Sequence, residues 1–145
     1  MKKSESPIIL EYQYNSTIEQ VWNALTVHKE MIQWYFENIP DFKAETGFET
    51  SFIVQSDTRK FNHLWKVTEA VVYKKLTYSW KYSEYSGDSF VSFEIDEKEG
   101  AVKLKLTVTI TENFSDEIPE FKKESCIGGW NYFLGGNLSN YLENK

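Results

Sequence analysis

The chain has 145 residues, enough for one domain with a hydrophobic core, and it carries a net charge of -6 with a pI of about 5.0. An acidic surface argues against nucleic acid and anionic membranes as main partners, because both bind through basic patches. The single cysteine, Cys126, excludes an internal disulfide and a multi-cysteine metal site, and it suits a reducing compartment.

Two further features of the composition concern location and the interior. The first seven residues are polar with no apolar run after them, so we expect no signal peptide, and no stretch approaches the ~20 apolar residues of a membrane span. We therefore predict a cytoplasmic protein. Aromatic residues make up 17% of the chain, which favours either a large core or an aromatic-lined cavity.

The N-terminal part predicts one strand and two short helices. Ile8 to Tyr14 alternates apolar and polar residues, which is typical of a half-buried strand. Ser16 and Glu19 fit a capping box, in which both side chains bond the free amides at the start of a helix. We expect a second helix from about His28 to Tyr35, ended by Asn38 to Pro40.

From Asp41 onward the apolar period changes from helical spacing to two. Short polar turns, including Asp57 to Lys60 and Ser86 to Asp88, separate the strands, so neighbouring strands pair antiparallel. One face of each strand carries large apolar or aromatic side chains. The clearest runs of this inner face are Phe48, Thr50, Phe52 and Val54; Phe61, His63, Trp65, Val67 and Val71; Leu76, Tyr78, Trp80 and Tyr82; Val91, Phe93 and Ile95; Val102, Leu104, Leu106, Val108 and Ile110.

The last stretch, Pro119 to Lys145, predicts one long helix. Five large side chains recur at spacings of three and four and form a single stripe. They are Ile127, Trp130, Leu134, Leu138 and Tyr141. Four glycines lie almost opposite this stripe and each costs about 1 kcal/mol relative to alanine, so tertiary packing must hold the helix. We interpret this small-residue face as a surface that is loosened or closely approached.

These elements predict an α+β architecture: a curved antiparallel sheet of about six or seven strands around the C-terminal helix, with two short helices after the first strand. The helix is the element available to cover the aromatic inner face. No internal repeat or linker divides the chain, so we expect one domain with a core at about residues 8–142. Such an arrangement commonly leaves a cavity between sheet and helix.

Short apolar motifs spread over the chain resemble one family, the activators of the heat-shock protein 90 ATPase in their single-domain form, within the START-like (SRPBCC) superfamily. The motifs that carry the resemblance are Val21 to Thr26, Trp34, Gly47, Leu76 to Trp80, Val91 to Phe93, Leu104 to Thr109, and Gly129-Trp130. The resemblance covers about Ile8 to Leu142 and implies a helix-grip fold with a hydrophobic cavity. Members of the superfamily bind lipids, hormones or other apolar small molecules, and a few branches are enzymes.

The inner face and the helix stripe together supply the candidate ligand-binding residues, although the same side chains would also make an ordinary core. A mixed cavity would give the polar tips of buried Tyr and Trp their partners. The predicted cavity lining consists of Trp34, His63, Trp65, Tyr78, Trp80, Phe93, Trp130 and Leu134.

Few residues offer catalytic chemistry. His28 is expected to be exposed, whereas His63 shares the inner face and is either a hydrogen-bonded core residue or a general base. Glu69 would share that face by strict alternation, so either a β-bulge turns it outward or it lies at the cavity mouth as a polar anchor. Cys126 has no histidine near it in sequence that could activate it. We expect no catalytic residue, no metal site and no cofactor.

Three functions remain open on these grounds. The first is non-catalytic binding of a hydrophobic or aromatic small molecule, with the glycine-containing helix as a lid. The second is a protein-interaction module that regulates a chaperone or another partner, with the glycine face as a candidate homodimer contact. The third is an enzyme that uses His63 or Glu69 in the cavity.

Overall fold

The computed structural model describes residues 1–145, and its central element is one six-stranded antiparallel sheet. The strands follow each other in space in the order β1-β6-β5-β4-β3-β2, so the first and last strands pair and all other neighbours are consecutive hairpins. Their bounds are β1 Ile8–Tyr14, β2 Glu49–Ser56, β3 Arg59–Val71, β4 Lys75–Tyr82, β5 Asp88–Lys98 and β6 Ala101–Glu112.

The helices lie in two places along the chain. Helices α1 (Ile18–Thr26) and α2 (His28–Trp34) separate the first two strands. A 3-10 turn at Pro119–Phe121 precedes the C-terminal helix, which is continuous over residues 123–143. The sheet curves around this helix, so the predicted helix-grip arrangement is confirmed.

The inner face of the sheet is formed as the alternation predicts. Trp65 and Trp80 are cross-strand partners, and their ring centroids lie 5.1 Å apart. Tyr78 is fully buried and Trp130 is 5% exposed, so both face the interior. Trp80, on the same face, is half-buried.

A β-bulge in β3 decides the position of Glu69. The register between β3 and β4 shifts between Val67 and Glu69, which turns the following residues over. The Glu69 carboxylate lies 3.1 Å from Lys75 Nζ in an ion pair on the outer surface, and Val71 becomes 42% exposed. The bulge interpretation is therefore confirmed, and the assignment of Val71 to the inner face is wrong.

The start of α1 differs from the predicted capping box by one residue. Thr17, and not Ser16, is the N-cap, and its hydroxyl accepts from the Gln20 amide at 3.1 Å. The acidic partner also differs, because the Ile18 amide donates to the Glu97 carboxylate of β5 at 2.9 Å. The helix start is therefore tied to the sheet through a contact that sequence spacing does not reveal.

The C-terminal helix is not uniformly α-helical. It consists of α3 (Lys123–Trp130), a π-helical segment (Asn131–Asn137) and α4 (Leu138–Glu143). Its buried stripe is Trp130, Leu134, Leu138 and Leu142, whereas Ile127 and Tyr141 of the predicted stripe are half-buried. In an α-helix, two residues four positions apart differ by about 40° in their direction around the helix axis, because a turn holds 3.6 residues. A π turn holds more residues, so residues four positions apart in the π segment differ by an angle of the opposite sign. The two deviations offset each other, and the stripe keeps facing the sheet.

Candidate functional site

The interior under the helix is densely packed at one end. Trp34 is 1% exposed and stacks on Tyr35 at 4.6 Å, and the Tyr35 and Tyr78 hydroxyl groups are 2.9 Å apart. Burial raises the pKa of both tyrosines, so both phenols stay protonated. The Tyr14 hydroxyl donates to the Leu134 carbonyl of the π segment at 2.7 Å, which anchors the helix to β1.

The opposite end of the interior contains a pocket of about 330 Å³, which we call the end pocket. It lies between the inner face of β2 to β6, helix α3 and the loop before it. Of its 20 lining residues 14 are hydrophobic, so its wall is mainly apolar. These 14 are Met1, Phe36, Val54, Phe61, Trp80, Tyr82, Val91, Val108, Ile110, Phe114, Phe121, Cys126, Trp130 and Phe133; the others are Ser56, His63, Ser89, Glu120, Ser125 and Gly129.

The structure brings three of the eight predicted lining residues into the end pocket, namely His63, Trp80 and Trp130. The other five are fully or almost fully buried in the packed part of the interior and do not line it. They are Trp34, Trp65, Tyr78, Phe93 and Leu134. The aromatic inner face therefore divides into a filled part and an open part, a division that alternation alone does not indicate.

Several pocket residues were not predicted as part of the site. The sequence does contain a signal for Phe61 and Tyr82, because they belong to the same inner-face alternation as His63 and Trp80. It contains none for Phe114 and Phe121: Phe114 lies in a loop, and Phe121 ends the 3-10 turn that replaces the predicted start of the long helix, which begins at Lys123 and not at Pro119. Phe114 packs on Gly87, where φ is +120° and an added Cβ would collide with the phenyl ring.

Two polar residues of the pocket wall are buried, His63 at 5% exposure and Ser89 at 4%, and His63 is the titratable one. Its Nδ1 lies 3.0 Å from the Phe61 carbonyl, and because a carbonyl only accepts, Nδ1 carries the proton. Burial lowers the pKa of His63 to about 4, so the ring is neutral near pH 7. Its Nε2 has no hydrogen-bond partner in the protein and is left as an acceptor.

Tyr82 stands beside His63 as its cross-strand partner in β4, with ring centroids 4.9 Å apart. Its hydroxyl accepts from the Trp80 indole N–H at 2.9 Å, and its own hydrogen has no acceptor in the protein. Burial raises the pKa of this phenol, so it remains a donor. The pair therefore offers one unused acceptor and one unused donor.

The remaining polar groups of the pocket already have partners. The Ser56 hydroxyl donates to Glu120 at 2.9 Å, and Arg59 pairs with the same carboxylate at 3.4 Å. Ser89 donates to the Trp80 carbonyl at 2.8 Å, and Ser125 donates to the Pro119 carbonyl at 3.0 Å. These contacts fix the loop and the helix start around the pocket.

The remaining candidates for reaction chemistry lie in unsuitable surroundings. His28 is half-buried rather than exposed, and its Nε2 hydrogen-bonds the Ile39 carbonyl outside the pocket. Burial raises the pKa of Cys126 to about 11, which keeps the thiol protonated at neutral pH. No group of three or more His, Cys, Asp or Glu side chains is arranged to hold a metal ion. None of the helices is long and apolar enough to cross a membrane.

Comparison with solved structures supports the architecture. The chain is similar to the Mll3558 protein from Rhizobium loti, with a TM-score of 0.81 and 14% identity over 94% of this chain and 96% of that one. It is similar to the CV1439 protein from Chromobacterium violaceum, with a TM-score of 0.76 and 18% identity over 94% and 96% of the two chains. The Aha1 dimer from Colwellia psychrerythraea gives a TM-score of 0.73 and 18% identity over 96% and 97%.

These likenesses establish the fold, and the sequence establishes the family. No curated protein matches the chain. Residues 15–143, however, match the family described as "Activator of Hsp90 ATPase homolog 1-like protein". Because this match spans most of the sequence, the chain belongs to the Activator of Hsp90 ATPase homolog 1-like family and has its START-like, helix-grip fold.

Proposed function

We propose that this protein binds a small hydrophobic or aromatic molecule in the end pocket and performs no chemistry on it. The observation that carries the proposal is the pocket of about 330 Å³ with a mainly apolar wall. Ligand pockets in proteins have volumes of about 300–1,000 Å³ and combine apolar walls with a few polar groups. The polar groups here are few and lie around His63 and Glu120.

A non-catalytic role is supported by the surroundings of the titratable groups. Nucleophilic or acid–base catalysis needs a partner group within hydrogen-bond reach. His63 has a backbone carbonyl at Nδ1, the Glu120 carboxylate pairs with Arg59, and the Cys126 thiol stays protonated. Glu69, the other candidate, pairs with Lys75 on the outer surface.

Two neighbouring glycines of α3 allow a matched test. Gly129 lines the pocket, whereas Gly128 does not, and an added Cβ would meet no atom within 4 Å at either position. Gly129→Leu would add a side chain at a residue of the pocket wall, and Gly128→Leu would add the same side chain at a residue that does not line the pocket. Both changes give the same gain in helix propensity, somewhat below the about 0.8–1 kcal/mol that separates glycine from alanine.

The experiment is thermal unfolding with naphthalene derivatives, long-chain alcohols, fatty acids and sterols. A compound that binds at 100 times its Kd should raise the Tm of the wild type by roughly 10 °C. We expect Gly129→Leu to abolish this shift and Gly128→Leu to retain it. A wild type that no compound stabilises, or a shift that survives in Gly129→Leu, would contradict the proposal.

A second candidate, a protein-interaction role that includes homodimer formation, is favoured by one surface. Three consecutive apolar residues at the tip of the β3–β4 hairpin are exposed by 42%, 64% and 43%; they are Val71, Val72 and Tyr73. Exposed apolar patches mark association sites. Light scattering should then give twice the monomer mass, and Val72→Asp should halve it. A strictly monomeric wild type that captures no chaperone or other protein would eliminate this role.

A further inference from the structure

The polar groups of the end pocket restrict which ligand it can take, and this inference rests on the proposed function. His63 is 5% exposed, and its Nε2 is an acceptor without a partner in the protein. Because His63 lines the pocket and its Nε2 has no partner in the protein, a ligand that displaces water from this atom gains affinity only if it supplies the hydrogen bond itself. The ligand group next to this atom must be a donor.

The second unused polar group gives the opposite requirement. Tyr82 already accepts from Trp80 Nε1, so what its hydroxyl has left to offer is its hydrogen. Because His63 and Tyr82 are paired across β3 and β4, both groups stand on the same stretch of the pocket wall. A hydroxyl group is the smallest ligand group that donates and accepts at once.

Charge gives the third restriction. No lysine or arginine side chain lines the pocket, and its charged side chain is Glu120. The amino group of Met1 donates to the Phe121 carbonyl at 3.0 Å, and Arg59 is paired with Glu120. The Met1 amino group is therefore the one cation of the lining without a carboxylate partner. A ligand carboxylate would still have to leave water for a mainly apolar wall, which costs more free energy than the transfer of a neutral hydroxyl group.

We propose that the end pocket selects neutral apolar molecules with a hydroxyl group, which donates to His63 Nε2 and accepts from the Tyr82 hydroxyl. Phenols and apolar alcohols belong to this class. The corresponding hydrocarbons leave both protein groups unpaired, and the corresponding acids must bring a charge out of water into a mainly apolar pocket.

Three probes of similar shape test this selection: 2-naphthol, 2-methylnaphthalene and 2-naphthoate. Their Kd values can be measured through quenching of the tryptophan fluorescence and by calorimetry. Two net hydrogen bonds should make 2-naphthol bind about tenfold more tightly than 2-methylnaphthalene. We expect 2-naphthoate to bind at least tenfold more weakly than 2-naphthol at pH 7.

Variants then assign the preference to the two side chains. His63→Phe removes the acceptor and keeps a ring that can stack on Phe52, whose centroid lies 4.8 Å away. Tyr82→Phe removes the donor. Each should reduce the preference for 2-naphthol over 2-methylnaphthalene to about threefold or less. Tyr85→Phe is the matched control, because Tyr85 packs on Phe61 in the same aromatic cluster but does not line the pocket.

The outcomes separate this inference from the proposed function. If the probes bind and Gly129→Leu blocks them, but 2-naphthol shows no preference in the wild type, the hydroxyl selection is wrong and the binding role stands. If the preference persists unchanged in His63→Phe and Tyr82→Phe, the selection is likewise wrong. If none of the three probes binds, the hydroxyl selection is overturned, whereas the proposed function is overturned only if the long-chain alcohols, fatty acids and sterols fail as well. The wild-type ratio decides the matter even if one variant does not fold.

Discussion

The two ends of the interior have the same kind of sequence and different structures. At one end, β1, α1, α2, the π segment and α4 surround the inner face, and side chains such as Tyr78 and Leu134 are fully buried. At the other end, α3 brings Gly129 instead of a large side chain, and a pocket remains beside Trp130. Aromatic strands thus border a filled core or an open pocket, according to which elements cover them. Removing atoms from each end is the most direct way to measure this difference.

The largest expected effect comes from truncating the packed end. Leu134→Ala should lower the free energy of unfolding by about 2–5 kcal/mol, because it creates a cavity where the side chain is fully buried. Ile110→Ala, at a half-buried position of the pocket wall, should cost about 1–2 kcal/mol, since those atoms already border empty space. Urea unfolding measures both. Equal losses would mean that the two ends are packed alike.

A second effect concerns the buried histidine of the open end. The pKa of His63 is lowered from about 6.5 to about 4, so the unfolded chain binds more protons between these values. The neutral ring therefore contributes stability that is fully present above pH 6.5 and is lost as the pH falls towards 4, by at most about 3 kcal/mol.

The measurement is the free energy of unfolding of the wild type and of His63→Phe from pH 4 to pH 8. Subtracting the two curves removes the contribution of the carboxylates, which titrate in both proteins. The wild type should lose stability relative to the variant below pH 6.5. Parallel curves would show that His63 is hydrated in the folded protein. The pocket wall at His63 would then be as accessible to water as the outer surface.

The smallest expected effect lies outside both ends. Glu69 pairs with Lys75 at 3.1 Å, and its side chain is 50% exposed. Exposed ion pairs contribute about 0–1 kcal/mol, so Glu69→Gln should change stability by less than about 0.5 kcal/mol. Its ligand-induced Tm shift should equal that of the wild type at every pH tested. A Tm shift that is lost in Glu69→Gln, or that depends on pH, would indicate that Glu69 contributes to ligand binding.

The periodic patterns of the sequence predicted which residues face the interior, whereas the features that interrupt a period could not be predicted. Alternation placed His63, Trp80 and Tyr78 on the inner face, and the stripe placed Trp130 and Leu134 opposite them, because both periods reflect one-sided burial. The bulge between Val67 and Glu69 interrupts the period, so the orientation of Glu69 stayed open. The pocket boundary depends on Phe114, in a loop, and Phe121, in the 3-10 turn before α3, and the position of both is set by tertiary packing.

The π-helical segment has a consequence for how the two ends are related. It inserts extra backbone between Trp130, which faces the pocket, and Leu138, which faces the filled region, while the Tyr14 hydroxyl holds the Leu134 carbonyl at its centre. The segment thus changes the angle around the helix axis at which α4 follows α3. Substitutions in α3 would therefore change the volume of the end pocket without turning α4, because the hydrogen bond from Tyr14 holds the helix between these two segments.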